Sequence, residues 1–163
     1  MSPVSIRPAT ALDVESIARI EAGNAAATQN EVDTPAPRLA FWRDAIEFGE
    51  PQVLVACVGD AIIGFVGYDR SRDPRTPQTM GEIWAIHVVD GNLGHGVGLA
   101  LWDAARDGLL EEGCTHVSIW IELAQERALR FHELAGFKRD MPSLRTTAKG
   151  AKRVEEIRLK RPL

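Results

Sequence analysis

Apolar positions along the chain recur with two periods, and the switches between them divide the sequence into elements. Val4–Pro8 is a short strand candidate. Thr10 opens a helical pattern through Leu12, Ile17 and Ile20, with Asp13 placed as in a capping box and Gly23 as its stop. After the polar stretch Asn24–Pro37, a second helix is expected over Arg38–Phe48, ending before Gly49. Gln52–Val58 and Ala61–Tyr68 flank a Gly59-Asp60 turn and read as a hairpin. Ser71–Gln78 is a charged, proline-bearing loop, and Met80–Val89 resumes as a strand. Val97–Glu112 reads as a helix ending at Gly113; Asp103, Asp107 and Glu111 form a narrow acidic stripe on an otherwise mostly apolar cylinder. Strand His116–Glu122 carries Val117, Ile119 and Ile121 on one face. Strand, helix and strand at this spacing form a crossover with two parallel strands. A short helix, Gln125–Ala135, stops at Gly136, and strands near Phe137–Thr146 and Arg153–Lys160 close the chain as an antiparallel pair. The expected fold is a single α/β domain over residues 1–163, an α+β arrangement with a mixed sheet of six to seven strands flanked by about four helices.

Composition narrows the function classes. The chain has 163 residues, 45% hydrophobic, which suits one domain with a sizeable core. A net charge of −4 argues against a nucleic-acid binder. The late basic residues Lys149, Lys152, Arg153, Arg158, Lys160 and Arg161 alternate with apolar ones and read as an edge strand guarded by charge. No apolar run approaches the roughly 20 residues that span a membrane, and the first residues lack the apolar core of a signal peptide. Cys57 and Cys114 lie in apolar stretches without metal or redox spacing, as buried reduced thiols do. A cytoplasmic protein without metal is expected.

Gly94, Gly96 and Gly98 fall between a buried strand and a helix start. Such a loop lets backbone N–H groups approach a ligand closely, and the helix N-terminus adds unpaired donors, which suits a phosphate or pyrophosphate. The same glycines also fit a plain strand-to-helix turn. A Walker loop needs Gly-Lys-Ser/Thr, whereas Gly98 precedes Leu99-Ala100, and GxGxG after several strands departs from a dinucleotide fingerprint.

The segment from Glu82 to Leu101, EIWAIHVVDGNLGHGVGLAL, resembles the fourth strand, pyrophosphate loop and following helix of the GNAT superfamily of acetyl-CoA-dependent N-acetyltransferases. Gln125–Phe137, QERALRFHELAGF, resembles that family's Asn-x-x-Ala-x-x-Phe-Tyr-Glu-x-x-Gly-Phe, and Ile6-Arg-Pro-Ala-Thr with Asp13 is a typical opening. Leu93, Asp90 and Gln125 depart from the usual Arg or Gln, Pro and Asn, and His132 replaces the tyrosine that often serves as general acid. The resemblance implies that acetyl-CoA is the donor, that Ile86, His87 and Val88 line its pantetheine arm in a gap between two splayed strands, and that a backbone N–H near Val88 polarises the acetyl carbonyl. It implies that Leu93, Gly94, His95, Gly96, Val97, Gly98 and Leu99 cradle the pyrophosphate, with Gln125, Ala128 and Phe131 bordering the cofactor.

Direct transfer to an amine needs a base and an acid. His132 is the candidate acid; on a helical wheel it sits between a buried face of Ala128, Phe131, Leu134 and Ala135 and a wet face of Glu126, Arg130 and Glu133. A packed histidine with one hydrogen bond is the plainer alternative. Glu82 is the candidate base, a carboxylate in a strand of Ile, Trp, Ala and Val that faces a wet cleft, meets a buried partner or stands in solvent beside Gly81. His87 and Glu122 are weaker alternatives, and Trp84 and Trp120 are expected in core or cleft walls. By family likeness the acceptor site is bordered by Asn24–Pro37, Ser143–Lys152 and Asp69–Pro77, with Glu31 and Asp33 hinting at a cationic acceptor. The expected partner is a small-molecule or peptide amine, in a chain that is a homodimer in many relatives; the rival is a non-catalytic acyl-CoA-binding module. If the glycine segment holds CoA, acetyl-CoA and free CoA at 100 times Kd add ~2.7 kcal/mol of stability, several degrees of Tm, whereas ATP and NADH leave thermal unfolding unchanged.

Overall fold

The computed structural model describes residues 3–27, 35–89 and 96–163. In chain order these form β1 (Ser5–Pro8), a 3-10 turn (Ala11–Asp13), α1 (Val14–Ala27), α2 (Pro35–Phe48), β2 (Gln52–Val58), β3 (Ala61–Arg70), β4 (Met80–Val88), α3 (Val97–Glu111), β5 (His116–Glu122), α4 (Glu126–Leu134), β6 (Lys138–Lys149) and β7 (Lys152–Pro162). The strands make one seven-stranded sheet in the order β1-β2-β3-β4-β5-β7-β6. β4 and β5 run parallel, joined by the α3 crossover, and every other neighbouring pair is antiparallel.

Each face of the sheet carries its own core. Val97, Leu101, Trp102, Ala105 and Leu109 of α3 pack against Val66, Ile83, Val117, Ile119 and Leu159 on one face. On the other, Val14, Ile17 and Ile20 of α1 and Trp42 and Ala45 of α2 meet Val53, Val55 and Phe65. Burial of each such side chain contributes roughly 1.5–3 kcal/mol. The opening motif is local: the Thr10 N–H donates to Asp13 Oδ2 at 2.7 Å, and the Arg7 guanidinium reaches both oxygens of the same carboxylate. That pairing holds the Asp13 carboxyl below the usual carboxylate range and ties β1 to the start of α1.

Four expectations are corrected. Gly23 does not stop α1, which continues to Ala27, because a helical glycine costs only ~1 kcal/mol when packing favours the helix. α2 begins at Pro35 rather than Arg38: prolines in a first turn forfeit N–H groups that have no intrahelical partner anyway. The buried face of α4 is built on Leu129 and His132, while Leu134 is 83% exposed. The basic run near the C-terminus does not form an edge strand: Lys149 ends β6, the edge strand on that side, and the rest lies in β7, hydrogen-bonded to β6 and, along His116–Glu122, to β5.

Two helical glycines have opposite surroundings. A Cβ at Gly108 on α3 would lie 2.7 Å from Cζ of Tyr68, whose buried hydroxyl donates to Gln52. A Cβ at Gly23 meets nothing within 4 Å. Chemical denaturation should therefore show Gly108→Ala losing about 1–3 kcal/mol to overpacking and Gly23→Ala gaining about 0.5–1 kcal/mol.

Candidate active site

β4 and β5 begin side by side and then part. Their ladder runs from Met80↔His116 to Ile83↔Ile119 and ends there. β4 continues to Val88 against β3, and β5 continues to Glu122 against β7, so each strand stays anchored on its far side. Within β4 the register to β3 shifts between Ile83 and Ala85, which leaves Trp84 as an extra residue in a bulge at the start of the gap. The Val89 N–H donates to Ile63 on the β3 side. By strand alternation Ile86 and Val88 turn their backbone groups the other way, towards the gap. The Ile86 side chain packs against the α3 core and Val88 is buried in it. His87 lies on the opposite face, 5.5 Å from the Phe65 ring, and burial lowers its pKa.

The glycine segment leads into α3. Leu93, Gly94 and His95 lie outside the described residues, as do Asp90, Glu31 and Asp33. Gly96 is the N-cap of α3 with φ +78°, a conformation that a residue without Cβ adopts at no cost, and its carbonyl accepts the first helical hydrogen bond from Ala100. By helix geometry the N–H groups of Val97, Gly98 and Leu99 have no partner within α3. The Val97 side chain is buried in the core and Leu99 is half exposed. A Cβ on Gly98 would sit 3.3 Å from the Phe131 ring, a tight contact, so the missing side chain eases the close packing of α4 against the start of α3. Gln125 is the N-cap of α4.

His132 lies inside the fold, 3% exposed, between the rings of Phe131 and Phe137. Its expected place at a cleft border is therefore corrected: α4 is rotated so that His132, not Leu134, points inward. Nδ1 lies 2.8 Å from the Ala128 carbonyl, which can only accept, so Nδ1 carries the proton. Burial lowers the imidazole pKa, and the ring is neutral near pH 7.

Glu82 stands at the vertex of the gap, paired in register with Ser118 of β5 and half-buried. Burial, with the charge of Asp73 behind it, raises its carboxyl from the ordinary 4.5 to about 7. The Ser71 hydroxyl donates to Glu82 Oε1 at 3.3 Å. Beyond Glu82, Trp84 stacks on Phe41 of α2 with centroids 6.3 Å apart. On the β5 side the Trp120 indole N–H donates to Asp73 at 2.9 Å, and the Arg145 guanidinium lies 3.6 Å above its ring. Arg158 bridges Asp73 and Asp140, Arg145 binds Glu156 at 2.8 Å, and Lys149 binds the buried Glu122 at 2.7 Å.

α1 and α2 pack on β2, β3 and β4. The face that carries Trp120, Glu122, Glu156 and Arg158 belongs instead to β5, β7 and β6. The structure thus brings Glu82, Trp84 and Trp120 together and places His132 apart, on the α3 and α4 side. Asp73, Arg145 and Arg158 are site residues that sequence reasoning did not single out. Asp73 and Arg145 fall within the stretches Asp69–Pro77 and Ser143–Lys152 expected at the acceptor site, and the signal for Arg158 was the charged alternation Glu156, Arg158, Lys160 against Ile157 and Leu159, which marks one polar face of an interior strand.

Among the described residues there is no group of three or more His, Cys, Asp or Glu able to hold a metal, and no helix long and apolar enough to cross a membrane. Cys57 and Cys114 are both free and buried.

Among curated proteins none matches the chain as a relative. Solved structures do share the fold. The Salmonella typhimurium protein YncA, solved with its cofactor acetyl-CoA, aligns at 21% identity with TM-score 0.75, covering 98% of this chain and 93% of that one. An N-acetyltransferase from Staphylococcus aureus Mu50 aligns at 18% identity and TM-score 0.76, covering 99% of each chain. A ribosomal-protein-alanine N-acetyltransferase from Brucella melitensis gives 18% identity and TM-score 0.76, over 98% of this chain and 99% of its own. At such identities these likenesses establish the fold alone. The family model for the acetyltransferase (GNAT) family matches residues 17–137, from α1 through the β4–β5 gap to the end of α4. The chain therefore belongs to the acetyltransferase (GNAT) family, the acetyl-CoA-dependent acyltransferases that its glycine segment and its α4 sequence resemble.

Proposed function

We propose that this protein acetylates the amine nitrogen of a small molecule by direct transfer in a ternary complex, with Glu82 as the base. The observation that carries this reading is the place of Glu82: a half-buried carboxyl, raised to about 7, at the point where β4 and β5 part. A carboxylate of that basicity takes a proton from an amine or an intervening water better than an ordinary glutamate does. The residues present fit acetyl-CoA, which supplies the activated acetyl group. Where β4 and β5 part, the backbone N–H groups of Ile86 and Val88 that face the gap would meet the acetyl carbonyl, and the N–H groups of Val97, Gly98 and Leu99, which have no partner within α3, would suit a pyrophosphate. Phe131 and Ala128 hold α4 against that end. The free buried thiols of Cys57 and Cys114 fit a cytoplasmic setting.

His132 takes a different part from the one its motif position implies. A neutral ring whose single N–H is held by the Ala128 carbonyl has no proton to offer a departing thiolate. In this reading it packs between Phe131 and Phe137 and fixes the seat of α4. Retaining His132→Phe turnover within about tenfold of wild type is the expected result; a loss of ~10²–10⁴-fold, the usual effect of removing a general acid, would restore the acid role.

For Glu82, kcat/KM should rise with pH through about 7 and then level off, since the base acts when ionised. Glu82→Gln should lower kcat by ~10²–10⁴-fold and flatten that limb. Stability supplies a second readout. A carboxyl whose folded pKa is raised binds more protons folded than unfolded between 4.5 and about 7, so stability falls as pH rises through that window. Urea midpoints measured across it should show that fall in the wild type and a weaker one in Glu82→Gln. A variant with unchanged turnover and unchanged pH dependence would rule Glu82 out as the base.

A further inference from the structure

We infer that the acceptor amine carries an oxyanion, a carboxylate or a group of like shape, a few bonds from its nitrogen, and that Arg72 reads it; this rests on the acetyl-transfer reading of the site. Three consecutive side chains of the β3–β4 loop reach the cleft. Ser71 donates to Glu82, and Asp73 accepts from Trp120 and pairs with Arg158. Arg72 stands between these two anchors with its guanidinium 5.3 Å from the Trp84 ring centroid, two residues along β4 from Glu82. Stacking occupies the face of a guanidinium and leaves its edge N–H groups to bind a carboxylate bidentately.

The charge pairing singles out Arg72 among the cations here. Arg158 is bonded to Asp140 at 3.0 Å as well as to Asp73, Arg145 to Glu156 at 2.8 Å, and Lys149 to Glu122 at 2.7 Å. Among the described residues Arg72 makes only ion-pair contacts of 3.6 Å, with Glu50 and Asp69, and its side chain is 61% exposed. Surface pairs of that kind hold a guanidinium weakly and yield to a better anion. On the same side of the sheet, two buried donors, Trp84 Nε1 and Arg158 Nε, have no acceptor among the described residues. Buried N–H groups normally have partners, and an oxygen-rich ligand would provide them. An amine bound at Glu82 with its oxyanion at Arg72 uses both ends of the cleft, as a free amino acid does; a polyamine would bring its second charge against Arg72.

The test uses the whole protein with saturating acetyl-CoA and follows thiol release with α-amino acids, each compared with its carboxamide and its decarboxylated amine. The carboxylate form should be preferred by roughly 10- to 100-fold in kcat/KM. Arg72→Ala should abolish the preference, mainly through KM, with Arg72→Lys restoring part of it and Arg72→Glu turning it towards the decarboxylated amines. Wild-type preference for the uncharged or cationic forms, or a preference that Arg72→Ala leaves unchanged, would overturn the inference while acetyl transfer stands. Failure to acetylate any of the forms, with acetyl-CoA still raising Tm, would also overturn it. A protein whose Tm does not respond to acetyl-CoA would instead remove the reading beneath it.

Discussion

The site depends on one constraint: β4 and β5 cannot follow each other past Ile83 and Ile119. Each is committed along its other edge, β4 to β3 up to Val88 and β5 to β7 up to Glu122. Backbone hydrogen bonds made at those outer edges outweigh continued pairing at the inner one, and the extra residue at Trp84 adds to the divergence. A gap in the middle of an otherwise continuous sheet follows. It is walled by the α3 core below and by Phe41, Trp84 and Trp120 above.

The two sides of this gap are chemically different. On the α3 and α4 side the packing is mainly apolar, and the His132 ring is buried and neutral. On the other side, charges are matched in pairs around Trp120, while Glu82 has only a serine hydroxyl and the nearby arginines against the repulsion of Asp73. Partly buried pairs such as Arg158 with Asp73 and Asp140 contribute little net stability, because desolvation offsets much of the Coulomb attraction. What they do is hold Trp120 and the Ser71–Asp73 loop in one arrangement. The raised pKa of Glu82 is likewise unfavourable to folding above about pH 7.

Much of this was legible in the chain. The strand Gln52–Val58 is a short apolar run covered on both faces, His116–Glu122 alternates Val117, Ile119 and Ile121 with mainly polar neighbours, and α3 repeats its apolar positions at helical spacing, so all three follow directly from the pattern of the chain. The parallel crossover follows from the spacing of β4, α3 and β5, and the donor end from Gly96 and Gly98, whose lack of a Cβ is a property of the residue itself. The capping carboxylate of Asp13, three residues from Thr10, is equally local.

What the chain did not disclose depends on contacts between segments far apart in sequence. The rotation of α4 that buries His132 and exposes Leu134 is decided by Phe137 and by the start of α3, not by the helix's own pattern. The interior place of β7 is decided by its ladder with β5, which no periodicity encodes. The setting of Glu82 comes from Ser71 and Asp73 on a loop and from Arg145 and Arg158 on the last two strands, up to 76 residues away from it in the chain (158 − 82 = 76). Sequence by itself determined which elements form and where an anion can meet a helix end, since those are local properties of side chains and backbone. Only the tertiary structure decided which carboxyl is raised and which cation is left in weak ion pairs, because burial and charge pairing exist only once distant segments meet.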